Sequence, residues 1–202
     1  MKLYYTPGAC SLSPHIVMRE AGLQADFEKV DLATKKTETG KDFLTINPNG
    51  YVPALEFSPG DVLTEGPAIV QYLADQAPAA KLAPANGTKE RYQLESWLNF
   101  ITAEIHKAYG AFFNPLMPED SRPAAKTMLG KRYGYVDQHL SKNDYLMGNA
   151  YSVADVYLFV TASWAPHVGI DLKQWPALSR LCDRIASRPA VQAAMKAEGL
   201  IQ

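Results

Sequence analysis

The sequence predicts two domains, an α/β domain followed by an all-α helical bundle. In the first third of the chain, short apolar or alternating runs typical of strands are interleaved with helix-like segments. Beyond Lys89 the strand patterns fade, and apolar residues such as Leu94 and Leu98 recur at helical spacing. Residues 76–88, between these parts, are rich in Pro, Ala and Gly, which is typical of a connection. The expected division is a domain at residues 1–78, a linker at 79–88 and an all-helical domain at 89–202.

The first domain predicts the element order βαβ, then a helix, then ββα. Gly22 suits the C-terminal end of the first helix, and Pro67 suits the first position of the last one. The turn at residues 58–61 (SPGD) joins two short strand-like runs into a hairpin, whereas the polar residues 35–41 predict a loop. The expected elements are strands at 2–5, 27–32, 52–57 and 62–64, and helices at 12–21, 42–46 and 67–75.

A capping pattern predicts the start of one helix in the second domain. Ser152 stands three positions before Asp155, at the beginning of an apolar helical stretch. The serine side chain would accept the amide N–H of Asp155, and the Asp155 carboxylate would reach back to the amide of Ser152. We therefore expect a helix that begins just after Ser152.

Composition excludes several classes of function. The 202 residues carry a formal net charge of -1, so no basic field draws in nucleic acid or anionic membrane. No apolar run reaches membrane-spanning length, and the N-terminal residues do not resemble a signal peptide. The two cysteines, Cys10 and Cys182, are far apart, which argues against a disulfide framework and for a reducing compartment. We expect a cytoplasmic protein without a metal or a permanently bound cofactor.

Cys10 is the leading candidate for chemistry. It follows a predicted strand and the turn at residues 6–9, and it precedes a predicted helix in a C-x-x-S pattern with Ser13. Unpaired N–H groups and the macrodipole at a helix N-terminus favour negative charge. Such surroundings lower a thiol pKa from about 8.5 to between about 3.5 and 7.5. The alternative is a buried structural cysteine, because free cysteine is among the most buried residue types.

Six segments of the chain, taken together and in order, carry a family resemblance. They are residues 4–12 (YYTPGACSL), 47–53 (NPNGYVP), 63–69 (LTEGPAI), 97–100 (WLNF), 104–107 (EIHK) and 152–159 (SVADVYLF). This pattern resembles the bacterial beta-class glutathione S-transferases over essentially the whole chain. The resemblance implies a thioredoxin-like N-terminal domain, a C-terminal helical bundle, glutathione as co-substrate and a homodimer.

The resemblance implies that glutathione pairs with the backbone near Cys10. Val52-Pro53 matches the family's cis-proline, which would turn the Val52 N–H and C=O toward the cysteinyl backbone of glutathione. Tyr51, Val52 and Pro53 are therefore expected to bind glutathione. Tyr4 and Tyr5 precede the turn and are expected to be strand residues, although the animal enzymes use an N-terminal tyrosine. Ser11 and Ser13 are alternative donors to the sulfur.

Charged residues are implied at the two ends of the bound tripeptide. Glu65 would accept hydrogen bonds from the α-ammonium group, and Gly66 would let the backbone approach the γ-glutamyl carboxylate. Lys35 matches the position that meets the glycyl carboxylate, and Lys36 competes with it for this role.

The helical domain is implied to supply polar groups and an apolar pocket. Asn99, Ala103 and His106 share one face at helical spacing, and Asn99 and Glu104 are expected to contribute to glutathione binding. His106 would lie close to the Cys10 sulfur and either donate a hydrogen bond to a thiolate or act as an acid or base. The expected walls of the electrophile pocket are Phe112, Phe113 and Trp164.

These expectations predict a glutathione transferase, with Cys10 and His106 as its catalytic residues. The enzyme would conjugate the glutathione thiolate to small hydrophobic electrophiles. One alternative uses a mixed disulfide between Cys10 and glutathione for thiol–disulfide transfer, peroxide reduction or reductive dehalogenation. A non-catalytic binding module is the third possibility.

Overall fold

A five-stranded mixed sheet lies at the centre of the first of two units in the computed structural model, which describes residues 1–202. The first compact unit consists of Met1–Ala83 with Ser187–Gln202, and the second consists of Pro84–Ala186. The sequence placed residues 187–202 in the helical domain. In the structure they belong with the sheet, because the last helix packs on the first one. The predicted domain limits otherwise stay a prediction.

The strands of the sheet are β1 (Lys2–Tyr5), β2 (Asp26–Asp31), β3 (Lys36–Thr37), β4 (Ala54–Ser58) and β5 (Asp61–Thr64). Their order in the sheet is β3-β2-β1-β4-β5. Its central strand β1 pairs in parallel with β2 and antiparallel with β4, so Leu3 lies between Phe27 and Leu55. Leu3 and Leu55 are fully buried. This is the thioredoxin-like arrangement, with β4 and β5 as the predicted hairpin.

Strand β3 corrects the expectation of a continuous loop at residues 35–41. Lys36 and Thr37 pair antiparallel with the end of β2, and the Thr37 side chain is buried. Two residues are too few to show the alternation by which a strand is recognised in a sequence.

Three helices complete the first unit: α1 (Leu12–Glu20), α2 (Gly66–Gln76) and α8 (Pro189–Ala197). Helix α1 ends as predicted at Gly22, which has φ +66°, while the Leu23 N–H donates to the Met18 carbonyl at 2.9 Å. The segment predicted as a helix at 42–46 is a single 3₁₀ turn at Phe43–Thr45.

Helices make up the second unit apart from its connections, and α6 (Val153–Ala162) is the most buried of them. Every residue of α6 is buried. The predicted capping box is confirmed, because Ser152 and Asp155 make both of its hydrogen bonds. None of the helices is both long and apolar enough to cross a membrane. The helices of this unit are α3 (Lys89–Phe100), α4 (Gly110–Phe113), α5 (Arg122–Leu140), α6 (Val153–Ala162) and α7 (Pro176–Ala186), with a π-helical segment at Ile101–His106.

Candidate functional site

The loop between β1 and α1 presents Cys10 immediately before the helix. The Ala9 N–H donates to the Thr6 carbonyl and the Leu12 N–H donates to the Ala9 carbonyl, both at 3.0 Å. The buried Ser11 hydroxyl accepts the Thr6 N–H at 3.1 Å and donates to the Thr6 carbonyl at 3.2 Å. The prediction that Ser11 donates to a sulfur is therefore wrong in this structure, since its single proton holds the loop.

The Cys10 thiol is protonated and hydrogen-bonded. Its Sγ donates to the Val52 carbonyl at 3.2 Å. Desolvation raises the pKa of Cys10 to about 12; the backbone N–H groups of Cys10 and Ser11 oppose this rise, and the Glu65 carboxylate adds to it. The expected low thiol pKa is thus wrong for the ligand-free protein, because burial outweighs the favourable helix terminus.

The segment that contains Val52 and Pro53 has an unusual backbone. The Val52-Pro53 peptide bond is cis, as predicted. The Val52 N–H makes no hydrogen bond within the chain, whereas its carbonyl accepts the Cys10 thiol. The buried Asn47 shapes the approach to this segment, because its side-chain amide donates to the Tyr51 carbonyl at 2.7 Å. The Tyr51 side chain itself is 70% exposed.

Glu65 and Gly66 form the junction between β5 and α2. Glu65 has φ +68°, a left-handed conformation that is uncommon for a residue with a side chain. Its exposed carboxylate makes no hydrogen bond within the chain. Gly66 lies against the cis-proline, because a Cβ at this glycine would be 3.9 Å from Pro53 Cγ. The junction therefore holds a free carboxylate and the start of a helix beside Pro53.

Lys35, and not Lys36, is directed at the same segment. The Lys35 ammonium donates to the Gly50 carbonyl at 2.8 Å and lies 5.6 Å from the centroid of the Tyr51 ring. Lys36 is an exposed residue of β3, where its backbone pairs with Asp31. Within the first unit, the segment 50–53 thus contains the predicted site residues Tyr51, Val52 and Pro53. Cys10, Lys35 and Gly66 lie against this segment, and Glu65 directly precedes Gly66.

In the second unit, Asn99 and Glu104 lie on either side of a change in helix type. Asn99 is an exposed residue of α3, and Glu104 belongs to the π-helical segment. Glu104 pairs with Arg132 of α5 at 2.5 Å, so its carboxylate already has a cationic partner. The predicted common face of Asn99 and His106 assumed α-helical geometry. A common face cannot be inferred from α-helical spacing here, because the hydrogen bonds of a π-helix join residues five apart and the side chains are therefore spaced differently around the axis.

His106 ends the π-helical segment and is held by an aromatic cluster. Its Nδ1 lies 2.6 Å from the Tyr157 hydroxyl, and its ring centroid lies 5.0 Å from that of Trp164. Burial lowers the pKa of His106 to about 4, with a smaller contribution from the positive charge of Lys107. The imidazole is therefore neutral near pH 7, and its role as a hydrogen-bond donor or as an acid or base stays a prediction.

Sequence reasoning missed the role of Tyr157. A signal was present, because Tyr157 is an aromatic residue with a polar end inside the apolar run at residues 156–160 (VYLFV). A buried tyrosine hydroxyl usually finds a hydrogen-bond partner, so a polar neighbour was to be expected.

Two of the three predicted pocket walls meet in the structure. The rings of Phe113 and Trp164 are 5.8 Å apart and edge-to-face. Phe113 also stacks on Tyr109 with an interplanar angle of 8°, while Phe112 contacts the same tyrosine at 6.3 Å. Phe113 is 53% exposed, so this cluster has an open aromatic surface. Its use as an electrophile pocket stays a prediction.

Family models and relatives agree with this architecture. The model of the glutathione S-transferase N-terminal domain matches residues 8–76, and that of the C-terminal domain matches residues 100–189. A curated relative, glutathione S-transferase GstA of Escherichia coli O157:H7, is 43% identical over 99% of this chain and 100% of its own length.

Two solved structures extend the similarity to three dimensions. A bacterial beta-class glutathione S-transferase of Sphingomonas chungbukensis has a TM-score of 0.96 and 52% identity, with 100% of both chains covered. A sphingomonad glutathione S-transferase in complex with glutathione has a TM-score of 0.95 and 50% identity, also with 100% of both chains covered.

Proposed function

The chain belongs to the glutathione S-transferase family, and from this premise we propose that it binds glutathione at residues 50–53 and transfers its thiolate to small hydrophobic electrophiles. The arrangement around Val52 is the main support. The free Val52 N–H and the adjacent carbonyl offer one donor and one acceptor, which is what an extended peptide backbone requires. The cysteinyl residue of glutathione would pair there, with its sulfur near Cys10.

Opposite charges support the orientation of the tripeptide. Lys35 would bind the glycyl carboxylate, since its ammonium already lies over Tyr51. The free carboxylate of Glu65 would bind the α-ammonium group, and the unpaired N–H at the start of α2 would bind the γ-glutamyl carboxylate. Glutathione carries these charges at its two ends, and Gly66 keeps the second end close to Pro53.

The proposed reaction is a nucleophilic transfer. The glutathione thiol loses its proton to solvent, and the sulfur forms a bond to an electrophilic carbon. Either a leaving group departs from that carbon with its bonding electron pair, or the electron pair of a double bond shifts from that carbon to the neighbouring atom, which then takes up a proton. Enzymatic promotion of the thiolate raises the concentration of the nucleophile, and holding it beside the electrophile lowers the entropic part of the barrier. His106 stays the predicted hydrogen-bond donor to this thiolate, and Asn99 and Glu104 stay predicted glutathione contacts.

Thiol transfer through Cys10 is the second candidate. The Cys10 thiolate would attack the glutathione sulfur of a mixed disulfide between glutathione and another small thiol. That thiol would leave as its thiolate, and a second glutathione would cleave the resulting Cys10–glutathione disulfide, which gives glutathione disulfide and restores Cys10. The proximity of Cys10 to the predicted sulfur position favours this activity. The raised pKa of the Cys10 thiol disfavours it as the first nucleophile, so we rank it below conjugation. Peroxide reduction and reductive dehalogenation would require the same thiolate.

We also propose a homodimer in a reducing compartment, such as the cytoplasm. The family resemblance supports the dimer, and the two free cysteines support the compartment. Sedimentation velocity over a range of concentrations tests the dimer, and a concentration-independent monomer would contradict it.

Glutathione calorimetry and two activity assays test the proposed function. Conjugation to an aryl halide and thiol transfer to a small disulfide are measured with wild type, Cys10→Ala and the control Cys182→Ala. We expect Cys10→Ala to lose thiol transfer and to keep part of the conjugation, and Cys182→Ala to keep both. Absence of glutathione binding by the wild type would overturn the proposal, and equal loss of both activities in Cys10→Ala would contradict the division between them.

A further inference from the structure

The contact between His106 and Tyr157 indicates which nitrogen of the imidazole carries the proton. Tyr157 is 2% exposed, and its hydroxyl lies 2.6 Å from His106 Nδ1. A neutral imidazole has one N–H donor and one acceptor nitrogen, and the hydrogen bond at one nitrogen determines the state of the other. The direction of this bond therefore fixes the tautomer.

Thr102 helps to establish that direction. Its hydroxyl donates to the Leu98 carbonyl at 2.8 Å and lies 3.5 Å from the Tyr157 hydroxyl. Of these two neighbours of the Tyr157 hydroxyl, His106 Nδ1 at 2.6 Å is the much closer acceptor, and Thr102 Oγ1 lies at 3.5 Å. A phenol is also a better donor than acceptor toward a neutral imidazole. The Tyr157 hydroxyl thus donates to Nδ1, which leaves the proton of the imidazole on Nε2.

Neighbouring groups keep the ring neutral and in place. The Trp164 ring meets that of His106 at 64°, and the Tyr157 ring meets it at 77°. Burial and the adjacent Lys107 both oppose protonation. A cationic imidazole would have to donate from both nitrogens, and Tyr157 could then only accept.

We propose that Tyr157 is a positioning residue that holds His106 as the neutral tautomer with its proton on Nε2. In that tautomer His106 presents an N–H donor to an anion such as a thiolate, and its Nε2 has no lone pair with which to accept a proton. His106 therefore stabilises a thiolate by hydrogen bonding and does not act as the base that forms it. The thiolate part of this inference rests on the proposed function; the tautomer does not.

Long-range ¹H–¹⁵N NMR of the ligand-free protein tests the tautomer directly. The His106 signals are identified by their loss in His106→Gln. We expect a protonated Nε2 and an unprotonated Nδ1 in the wild type, and a shift toward the other tautomer in Tyr157→Phe. The control Tyr133→Phe removes another buried hydroxyl, which pairs with Tyr109 at 2.5 Å, and should leave the His106 signals unchanged. A wild-type His106 protonated at Nδ1 would overturn the proposal even if Tyr157→Phe failed to fold.

Titration of the thiolate absorbance of bound glutathione tests the consequence. We expect Tyr157→Phe to raise the pKa of the bound thiol by about one unit, because a poorly oriented donor stabilises the thiolate less. The KM for glutathione should change little. Unchanged thiol titration and an unchanged tautomer in Tyr157→Phe would contradict the positioning role. If the wild type bound no glutathione, the proposed function would fail, whereas the NMR result would still decide the tautomer.

Discussion

The Cys10 thiol donates to the Val52 carbonyl at 3.2 Å, so the protein's own side chain occupies the acceptor that the proposed ligand backbone needs. Because a carbonyl oxygen has two lone pairs, the peptide N–H of the proposed ligand would share this acceptor with the thiol. The thiol itself is protonated and poorly reactive, since burial raises its pKa to about 12.

Alkylation kinetics should show this low reactivity. Cys182→Ser leaves Cys10 as the only thiol, and its reaction with iodoacetamide is followed by mass spectrometry as the pH rises. Because the pKa of Cys10 is about 12, its thiolate fraction near neutral pH should be on the order of a thousandfold below that of an ordinary thiol. The rate should still be rising above about pH 9. A rate that levels off near neutral pH would contradict the protonated, hydrogen-bonded thiol.

Lys35 and Lys36 should differ in their effect on glutathione affinity. We expect Lys35→Met to weaken binding about tenfold, because a charge-assisted hydrogen bond to the glycyl carboxylate is lost. Lys36→Met should change the affinity by less than about twofold, since an exposed charge contributes little. Calorimetry measures both variants. Equal losses would remove the assignment of this role to Lys35.

The free energy of unfolding should depend less on acid pH when His106 is replaced. Its folded-state pKa of about 4 is below the ordinary value, so between these values the unfolded chain binds a proton that the folded chain excludes. His106 does not affect the free energy of unfolding above its ordinary pKa of about 6.5, and it lowers that free energy as the pH falls toward 4. From pH 7 to about 4.5, His106→Gln should lose about 2 kcal/mol less unfolding free energy than the wild type.

Urea denaturation at several pH values measures this difference. His167→Gln, which replaces an exposed histidine of the same unit, is the matched control. An acid dependence of His106→Gln that coincides with that of the wild type would show that the imidazole is not held neutral.

Asp155 should be essential for the stability of the second unit. Its fully buried carboxylate accepts the Leu146 N–H at 2.8 Å, the Ser152 N–H at 2.9 Å and the Ser152 hydroxyl at 2.8 Å. Asp155→Ala leaves two buried N–H groups without an acceptor, which should lower the free energy of unfolding by about 2–5 kcal/mol. Ser152→Ala should cost about 1 kcal/mol. Urea denaturation measures both, and a change below about 0.5 kcal/mol in Asp155→Ala would refute this account.

Local patterns predicted most elements of the fold. Gly22, Pro67 and the pair Ser152 and Asp155 mark element ends through backbone chemistry that acts within a few residues. Strand β3 and the packing of α8 on α1 were not predictable in this way. The two residues of β3 are too short a run to show alternation, and the neighbours of α8 are residues distant in sequence.

The site was predictable in its residues more than in its electrostatics. The position of Cys10 at a helix start suggested an acidic thiol, but desolvation is a property of the folded surroundings and reverses the sign of the shift. The helical spacing of Asn99 and His106 presumed a uniform helix, and no simple pattern marks the π-helical segment between them. Tyr157 was visible only as a polar group inside an apolar run.

Glu198 ties the site loop to the far end of the chain. It accepts the Gly8 N–H at 2.9 Å across 190 positions, and its other oxygen lies 2.9 Å from His15 Nδ1. A ribosome therefore makes Cys10 and the flanking elements β1 and α1 long before it makes the residue that secures their loop. Until residue 198 has left the exit tunnel, the nascent sheet lacks this anchor and the apolar cover that α8 gives to α1.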